Sequence, residues 1–322
     1  MKDNFCRPIS IESINPAFFP DIALFIRSGG NYVLYKPHDR KFTDDDRVRL
    51  ERNNVEFLYV RTGDMETISD YLEGSLSDML KRQDLSSRSK GKILYQTSVN
   101  YVTDVFETPE KTFNVSRCRS LVKHLMNYIA SDPNSLDSLQ SVIAHNYYIF
   151  VHSVQVTAMT LLMHAELYQV DRDELIDVGI GSILHDFGMI FISNDILNKP
   201  DALSDIEYYK VKQHTEKGYQ FLKEGKVFSD ISLSIVRYHH ERYDGNGYPT
   251  ALKGNNIPRS VQVTTLCDVF CALTTDRVYR KAISVSDALK AMREDSKGAF
   301  NEELFQRFIE VITSRKVPEM VA

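Results

Sequence analysis

The sequence has few cysteines and no long hydrophobic run, and both absences narrow the class of protein. Four cysteines in 322 residues are too sparse for a disulfide framework. A membrane-spanning helix needs about 18 or more consecutive apolar residues, and no such run occurs, so we expect no membrane insertion. The first residues also lack the apolar segment of a signal peptide. These absences together favour a cytoplasmic protein.

An excess of positive charge is also missing, since the formal net charge is −5 at pH 7. Proteins that bind polymeric nucleic acid usually present a basic face, so the sequence predicts no such partner. A small phosphorylated ligand needs only a few local arginines and remains compatible with this charge. Hydrophobic residues make up 43% of the chain, which is enough for a substantial core.

The first part of the chain differs in pattern from the rest. Two short apolar runs, 21–27 and 32–36, are separated by Ser-Gly-Gly-Asn at 28–31, which is typical of a β-hairpin. A third strand is predicted at 55–60. Helical spacing of apolar residues begins near residue 65 and continues through the chain. The predicted division is a small α+β regulatory or accessory domain at 1–82, a helical linker at 83–135 and a mainly α domain at 136–322.

Helix signals in the second half of the chain locate residues that can ligate metals. One predicted helix closes at Gly188, which puts His185 and Asp186 in its last turn. A capping box at 204–207 begins a predicted helix that carries His214. These residues are therefore expected on helices that face a common centre.

Two further helices carry residues of the same kind. Asp230 is predicted to cap the helix that ends in His239 and His240. Pro258 suits the first position of the next helix, which carries Asp268. Ligands on at least five helices are expected when a helical bundle builds a site at its centre.

Histidines and aspartates recur in this region at spacings that are typical of a metal site. Seven nitrogen or oxygen ligands exceed the three or four that a protein usually gives one zinc ion, so the count favours two ions that share a carboxylate. Neighbouring helical residues point about 100° apart, which places Asp186 between the ions and His185 on one of them. Two ions about 3.5–4 Å apart suit phosphate-ester hydrolysis. The predicted ligands are His152, His185, Asp186, His214, His239, His240 and Asp268.

The other histidines are interpreted differently. A single helical histidine is most often an ordinary core or surface residue. His145 lies seven residues before His152 on the same helical face, and it is either another such residue or part of the site lining. The histidines interpreted as ordinary residues are His38, His124 and His164.

In their order, these residues and their neighbours resemble the HD-GYP subgroup of the HD phosphohydrolase superfamily over residues 136–315. The resemblance implies a mainly α fold, an HD-type helical bundle with a C-terminal GYP extension, preceded by the small α+β domain. The N-terminal residues are similar to a small domain found ahead of HD-GYP domains. The matching motifs are His152-Ser153-Val154-Gln155-Val156, Leu184-His185-Asp186-Phe187-Gly188, Asn198-Lys199-Pro200, His214 with Gly218, His239-His240 through Pro249, and Asp268-Val269-Phe270 through Arg280.

The resemblance implies a metal-dependent phosphodiesterase of bacterial signalling. Its expected reaction is hydrolysis of cyclic di-GMP to linear pGpG, with GMP as a further product that the sequence leaves open. Two divalent ions are expected, with iron as the preferred metal and manganese as the alternative. The expected catalytic residues are Asp186 and His185. GGDEF-type or other signalling proteins are considered as partners at the GYP loop, and a homodimer is also considered. The expected substrate-binding residues are Arg277, Arg280, Gly247, Tyr248 and Pro249.

Two of these assignments keep an alternative. Arg277 and Arg280 each offer a planar fork of donors for phosphate or guanine, and a surface salt bridge is the other interpretation. The segment 245–249 is interpreted either as a loop that shapes the substrate site or receives a partner, or as a structural turn behind the histidine pair. The sequence of this segment favours these two interpretations equally.

Two positions depart from the family pattern. Tyr148 stands where some relatives carry a glutamate that holds a third metal ion, so we expect two ions. Met189 stands where the family usually has a lysine beside the metals, and methionine donates no charged hydrogen bond. Loss of one such donor typically costs about 10²–10³ in rate, so we expect a slowed or retuned enzyme. The alternatives are a degenerate protein that binds metal and cyclic dinucleotide as a sensor with little or no turnover, and a phosphohydrolase for another nucleotide.

Overall fold

The computed structural model describes residues 6–109, 114–131, 135, 148–199, 201–275, 281–294 and 297–314. A four-stranded antiparallel sheet and two helices form the first part, and a bundle of helices follows. The strands are β1 Cys6–Ser10, β2 Leu24–Ser28, β3 Asn31–Lys36 and β4 Phe57–Arg61, and the two helices are α1 Asp44–Arg52 and α2 Met65–Lys81.

The sheet has the order β1-β4-β2-β3, and its neighbouring strands are antiparallel. The predicted hairpin joins β2 to β3 through Gly29 and Gly30, whose φ angles of 54° and 80° suit glycine. Strand β1 is absent from the prediction, because its short sequence contains Pro8 and its burial does not alternate. It forms at the sheet edge by pairing with β4, where Ile9 lies opposite Leu58 and both are buried.

The rest of the chain is helical, as the spacing of its apolar residues predicts. None of the described helices combines the length and the apolar character needed to cross a membrane. The helices are α3 Ser87–Glu107, α4 Val115–Ser131, α5 Tyr148–Leu167, α6 Arg172–Ile183, α7 Asn194–Leu197, α8 Asp205–Lys212, α9 His214–Glu224, α10 Asp230–Tyr238, α11 Arg259–Thr274, α12 Val285–Glu294 and α13 Glu302–Ser314.

Among the described residues, the two main groups of buried apolar side chains correspond to the two parts of the structure, and a minor third group of four side chains lies around Val178 and Ile235. The smaller of the two main groups lies between the sheet and helices α1 and α2. The larger group fills the helical bundle, in which α5 packs against α3, α6 and α11. Helix α3 is buried along most of the stretch from Ile93 to Phe106, so its side chains form part of the bundle core. The domain limits at residues 82 and 135 stay predictions.

The helix that precedes the first histidine–aspartate pair is shorter than predicted. Helix α6 ends at Ile183 and not at Gly188. His185 and Asp186 therefore lie in a turn between α6 and the 3₁₀ helix Phe187–Phe191. Helix α6 ends early because of a tertiary contact: the chain must bend here to pass close to α9.

The helix predicted to carry His214 is two helices. The capping box of Ser204 and Glu207 is present with both of its hydrogen bonds, and it begins α8 as predicted. Helix α8 ends at Lys212, and α9 begins at His214. The break lets the His214 ring donate through Nδ1 to the Val211 carbonyl at 2.7 Å, which fixes the ring.

The boundaries of α10 also differ from the prediction. Ser229 caps this helix by accepting a hydrogen bond from a backbone amide, and Asp230 is its first residue. The helix ends at Tyr238, so His239 and His240 lie in the turn that follows. Apolar periodicity locates each of these helices, whereas the last turn depends on packing that the pattern does not contain.

Gly188 approaches α9 so closely that a side chain has no room. A Cβ atom there would lie 1.8 Å from the His214 carbonyl oxygen and 2.8 Å from the Gly218 amide nitrogen. Both neighbours are backbone atoms, which cannot move aside as a flexible side chain can. This contact brings the turn with His185 and Asp186 beside His214.

Gly188→Ala is expected to lower the free energy of unfolding by about 3 kcal/mol, because it overpacks a rigid backbone contact. Gly74→Ala is the matched control, since a methyl group added to Gly74 on α2 would have no heavy atom within 4 Å. This control is expected to raise stability by about 0.5–1 kcal/mol. Urea unfolding curves measure both, and equal stability of the two variants would contradict the packing argument.

Candidate metal centre

All seven predicted ligands converge near the middle of the helical bundle. The expectation that they lie on five helices is wrong in part, because three of the five positions are helix ends. At such ends, adjacent side chains are free of the regular helical spacing and can face the same centre. The ligands lie on α5 (His152), after α6 (His185 and Asp186), at the start of α9 (His214), after α10 (His239 and His240) and on α11 (Asp268).

The Asp186 carboxylate lies between imidazoles from two sides of the centre. Its Oδ2 atom is 3.3 Å from His185 Nε2. Its Oδ1 atom is 3.4 Å from His214 Nε2 and 3.8 Å from His239 Nε2. Oδ2 thus faces His185, and Oδ1 faces His214 and His239, an arrangement that suits a carboxylate shared by two cations.

The Asp268 carboxylate closes the other side of the centre. Its Oδ1 atom lies 2.8 Å from His152 Nε2 and 4.0 Å from His185 Nε2. Its Oδ2 atom lies 3.9 Å from His240 Nδ1. Both carboxylates therefore contact His185, and their other histidine contacts differ.

These contacts define overlapping groups of donors that could each hold an ion. Within a group, the donor atoms lie within 4.8 Å of one another. Asp186 belongs to two of the groups, and it is the carboxylate that joins them. The groups are Asp186 with His214, His239 and His240; His152 with His185 and Asp186; and His185 with His239 and Asp268.

Backbone carbonyls orient three of the imidazoles from behind. The Nδ1 atom of His185 donates to the Ser182 carbonyl at 2.7 Å, and that of His239 lies 3.1 Å from the Ile235 carbonyl. His214 makes the same kind of bond to the end of α8. A donor held at Nδ1 leaves Nε2 for the centre, which is how proteins usually prepare a histidine ligand.

The residues fit a divalent cation. His185 Nε2 is buried and makes no hydrogen bond within the described part of the chain, and a buried polar atom of this kind is costly unless something binds it. His185, His214 and His239 are all fully buried. Imidazole nitrogens with carboxylate oxygens suit iron, manganese and zinc. A cation at this centre would satisfy the buried nitrogen and offset the buried carboxylates.

The pKa values reflect this concentration of charge and burial. Burial opposes ionisation of Asp186, but His185, His239 and His214 lower its pKa well below the usual range. The pKa of Asp268 is lowered in the same way against burial, chiefly by His152. Both carboxylates are therefore ionised at neutral pH and available as ligands.

The imidazoles respond in opposite directions according to their neighbours. Burial lowers the pKa of His214 to about 4, and burial with the adjacent imidazoles lowers that of His240 well below its usual range. Burial also opposes protonation of His185, but the carboxylates of Asp186 and Asp268 raise its pKa to about 9. Without metal, the centre thus holds a proton on His185, which a metal ion must displace.

The predicted GYP loop borders the centre through Tyr248. The Tyr248 ring lies 4.8 Å from the His240 ring at an angle of 32°, and its amide donates to the His240 carbonyl at 3.2 Å. Gly247 is required by a close approach, because a Cβ atom there would lie 2.3 Å from the Arg242 amide nitrogen. The peptide bond from Tyr248 to Pro249 is cis. The loop thus forms a wall of the site and also buttresses His240.

Glu241 is a functional residue that the sequence analysis misses. Its side chain is buried, and its carboxylate accepts hydrogen bonds from the Thr250 amide and hydroxyl at 2.7 and 2.9 Å and from the Leu252 amide at 2.9 Å. The carboxylate thereby pins the far end of the loop. An acidic residue directly after a histidine pair suggests a further metal ligand. Only the fold shows that the Glu241 carboxylate points away from the centre.

Some predicted residues do not enter this description. Arg277, Arg280 and His145 lie outside the described residues. Tyr148 begins α5, and its side chain also lies outside the description. The donor groups found in the described chain contain none of the histidines interpreted as ordinary, which are His38, His124 and His164. Met189 follows Gly188 in the 3₁₀ helix and is partly buried.

Comparison with known proteins identifies the family. A model of the HD domain matches residues 125–304, which is more than half of the chain and includes every residue of the centre. The chain belongs to the HD domain family. The predicted membership of the HD superfamily is therefore confirmed.

Relatives extend this result to the fold. Bd1817, an HDG"Y"P protein from Bdellovibrio bacteriovorus, superposes with a TM-score of 0.71 over 96% of this chain and 99% of its own, at 18% identity. The two proteins thus share one overall fold, and the predicted fold class, a mainly α HD-GYP bundle after a small sheet, is confirmed.

Two curated relatives are similar in sequence. A cyclic di-GMP phosphodiesterase of Pseudomonas aeruginosa is 30% identical over 202 residues, which cover 63% of this chain and 48% of that protein. A 3′3′-cGAMP-specific phosphodiesterase of Vibrio cholerae is 34% identical over 164 residues, which cover 51% of this chain and 35% of that protein. The chain spans about half or less of the length of these relatives.

The charge on His185 predicts a pH dependence in the metal-free protein. Its folded pKa of about 9 lies above the ordinary value of 6.5. Its protonation therefore stabilises the fold fully below about pH 6.5, and this contribution is lost as the pH rises through about 9. We expect the difference in unfolding free energy between the native sequence and His185→Gln to shrink over this interval.

Chemical denaturation of both metal-free proteins at several pH values measures this difference. His38→Gln serves as the control, because His38 is exposed and lies outside the centre. A difference that stays constant or grows with pH would mean that His185 is not protonated in the metal-free centre.

Proposed function

We propose that this chain is a metal-dependent phosphodiesterase that hydrolyses cyclic dinucleotides, with cyclic di-GMP as the first substrate. The observation that carries the proposal is the position of Asp186, whose Oδ2 faces the buried His185 ring and whose Oδ1 faces the buried His214 and His239 rings. A centre with one shared carboxylate is typical of paired metal ions that hydrolyse phosphate esters.

The proposed centre would hold two divalent ions. Iron is the first candidate for their identity, and manganese is the second. Asp186 would contribute to holding both ions and would act with His185 as the catalytic pair. When bound, the ions would supply an activated water and neutralise the charge of the phosphate. We assign His214, His239 and His240 to one ion, and His152, His185 and Asp268 to the other.

The chain's own residues would orient the substrate at this centre. Burial raises the pKa of the Tyr248 hydroxyl, so the group stays protonated and can donate a hydrogen bond to a phosphate or a base. Its ring is fixed beside His240, which places that donor at the wall of the site. Arg277 and Arg280 are proposed to grip phosphate or guanine, and Gly247 and Pro249 to shape the loop.

The relatives support the substrate class more firmly than the individual nucleotide. The P. aeruginosa relative is named for cyclic di-GMP and matches the longer stretch of this chain. The V. cholerae relative is named for 3′3′-cGAMP. Both are cyclic dinucleotides, and linear pGpG followed by GMP are the proposed products from cyclic di-GMP.

A sensor with little turnover is the second candidate function. Met189 favours it, because it stands in the 3₁₀ helix after Asp186 where the family usually has a lysine, and a methionine supplies no positive charge to a phosphate. The paired carboxylates and five histidines are retained, however, and these would carry the larger electrostatic contribution to hydrolysis. We therefore propose turnover, at a reduced rate.

The assay uses protein purified without oxygen and loaded with Fe²⁺ or Mn²⁺. Incubation with cyclic di-GMP and chromatography of the products should show pGpG. His185→Ala is expected to lose more than about 100-fold in rate, because a ligand is removed, whereas His38→Ala should match the native sequence. Binding of cyclic di-GMP without product above the His185→Ala background would support the sensor instead.

Met189→Lys tests the proposed cause of the reduced rate. If a missing cation beside the scissile phosphate limits turnover, this change should raise kcat by about tenfold or more at equal metal content. Met189→Leu is the control for packing, because it keeps the volume and adds no charge. An unchanged kcat in Met189→Lys with metal bound would contradict our account of this position.

A further inference from the structure

A lysine and two tyrosines form a group of contacts that adjoins the metal centre through His240. Lys212 Nζ lies 5.1 Å from the centre of the Tyr248 ring and 4.5 Å from that of the Tyr208 ring. The Tyr248 ring in turn lies 4.8 Å from the His240 ring. The contacts thus connect His240 to Tyr248, Tyr248 to Lys212, and Lys212 to Tyr208.

The ammonium group of Lys212 is held by rings and not by an acid. Both tyrosine rings are within the distance at which an aromatic face attracts a cation. Within the described ranges, no carboxylate lies within ion-pair distance of Lys212, whereas nearby Lys199 pairs with Glu207 at 2.7 Å. A held cation without an acidic partner is ready to receive an anionic ligand.

The fold couples the position of Lys212 to that of the centre. Lys212 is the last residue of α8 and lies two residues before His214. The neighbouring Val211 carbonyl accepts the hydrogen bond from the His214 ring. The capping box of Ser204 and Glu207 secures the other end of the same helix. The lysine therefore stands at a fixed place relative to the ligands.

We propose that Lys212 binds the second, non-reacting phosphate of the cyclic dinucleotide, and that Tyr208 stacks on the adjoining base. This inference rests on the proposed function. A cyclic dinucleotide carries two phosphates in one ring, so when one lies at the ions the other must lie several ångströms away. Lys212 is connected to His240 through the Tyr248 ring, whose centroid lies 5.1 Å from the lysine Nζ atom and 4.8 Å from the centroid of the His240 ring.

The chemistry of both side chains matches this role. A lysine ammonium binds phosphate as a compact point charge. Tyr208 is 48% exposed, so one part of its ring remains open to a base while the other contacts the lysine. Base stacking on an aromatic ring tolerates any base, which suits a substrate class whose members differ in their bases.

The role predicts a particular kinetic signature. A group that holds the non-reacting phosphate binds substrate and transition state equally, so its loss raises KM and leaves kcat nearly unchanged. This behaviour separates Lys212 from Met189, where a change acts on kcat. It also separates substrate binding from a structural role, which would alter metal content.

The test compares Lys212→Ala with Lys210→Ala, both assayed with Mn²⁺ and cyclic di-GMP. Lys210 lies on the same helix and is exposed. Lys212→Ala should raise KM about tenfold or more, as expected for a lost charged contact, with kcat and metal content within about twofold of the native values. Lys212→Arg should recover most of the affinity, because it keeps the charge.

Tyr208 is tested in the same way against Tyr209, its neighbour on α8, which is 64% exposed. Tyr208→Ala should raise KM about tenfold, as expected for one lost base stack. Tyr208→Phe, which keeps the ring, should stay close to the native value, and so should Tyr209→Ala.

A substrate with a single phosphate, bis(p-nitrophenyl) phosphate, gives a further test of Lys212. The ratio of kcat/KM for cyclic di-GMP to kcat/KM for this substrate should fall about tenfold in Lys212→Ala.

The outcomes for the inference and for the proposed function are distinct. Native turnover with equal KM in Lys212→Ala and Lys210→Ala overturns the inference alone, and so does a fall in kcat without a rise in KM. If the native protein binds cyclic di-GMP without turnover, the hydrolysis proposal fails, and calorimetry of Lys212→Ala still tests the subsite through Kd. A native protein that neither binds nor hydrolyses it overturns both.

Discussion

The buried carboxylate of Asp186 imposes the main constraint on this structure. Its oxygens lie 3.3 Å from His185 and 3.4 Å from His214, inside a centre where three of the five imidazoles, those of His185, His214 and His239, are fully buried. Burial of so many polar groups costs free energy unless charges and hydrogen bonds compensate it. The backbone carbonyls behind the rings supply part of this compensation, and bound cations would supply the rest.

This constraint explains why the helices end where they do. A pair of adjacent residues in a regular helix cannot face one point, because they project about 100° apart. Ending α6 before His185 and α10 before His239 releases both pairs from that geometry. Gly188 then allows the first turn to approach α9, and buried Glu241 ties down the loop after the second.

The sequence predicts the ligands better than the shape around them. Side-chain chemistry and order are enough to predict the HD family and the seven residues that the fold brings together, and alternating apolar runs with a Gly-Gly turn are enough for the β-hairpin. Strand β1 was missed because it depends on pairing with β4, far along the chain. Lys212 gave no signal either, since its meaning comes from two rings that only the fold brings to it.

Metal analysis of protein prepared without oxygen tests the central claim most directly. A shared Asp186 predicts two ions per chain in the native sequence. His214→Ala should lose about one ion, because only one group of donors contains this residue, whereas Asp186→Ala should lose both. A native content of one ion, or equal losses in the two variants, would contradict a pair of cations joined by this carboxylate.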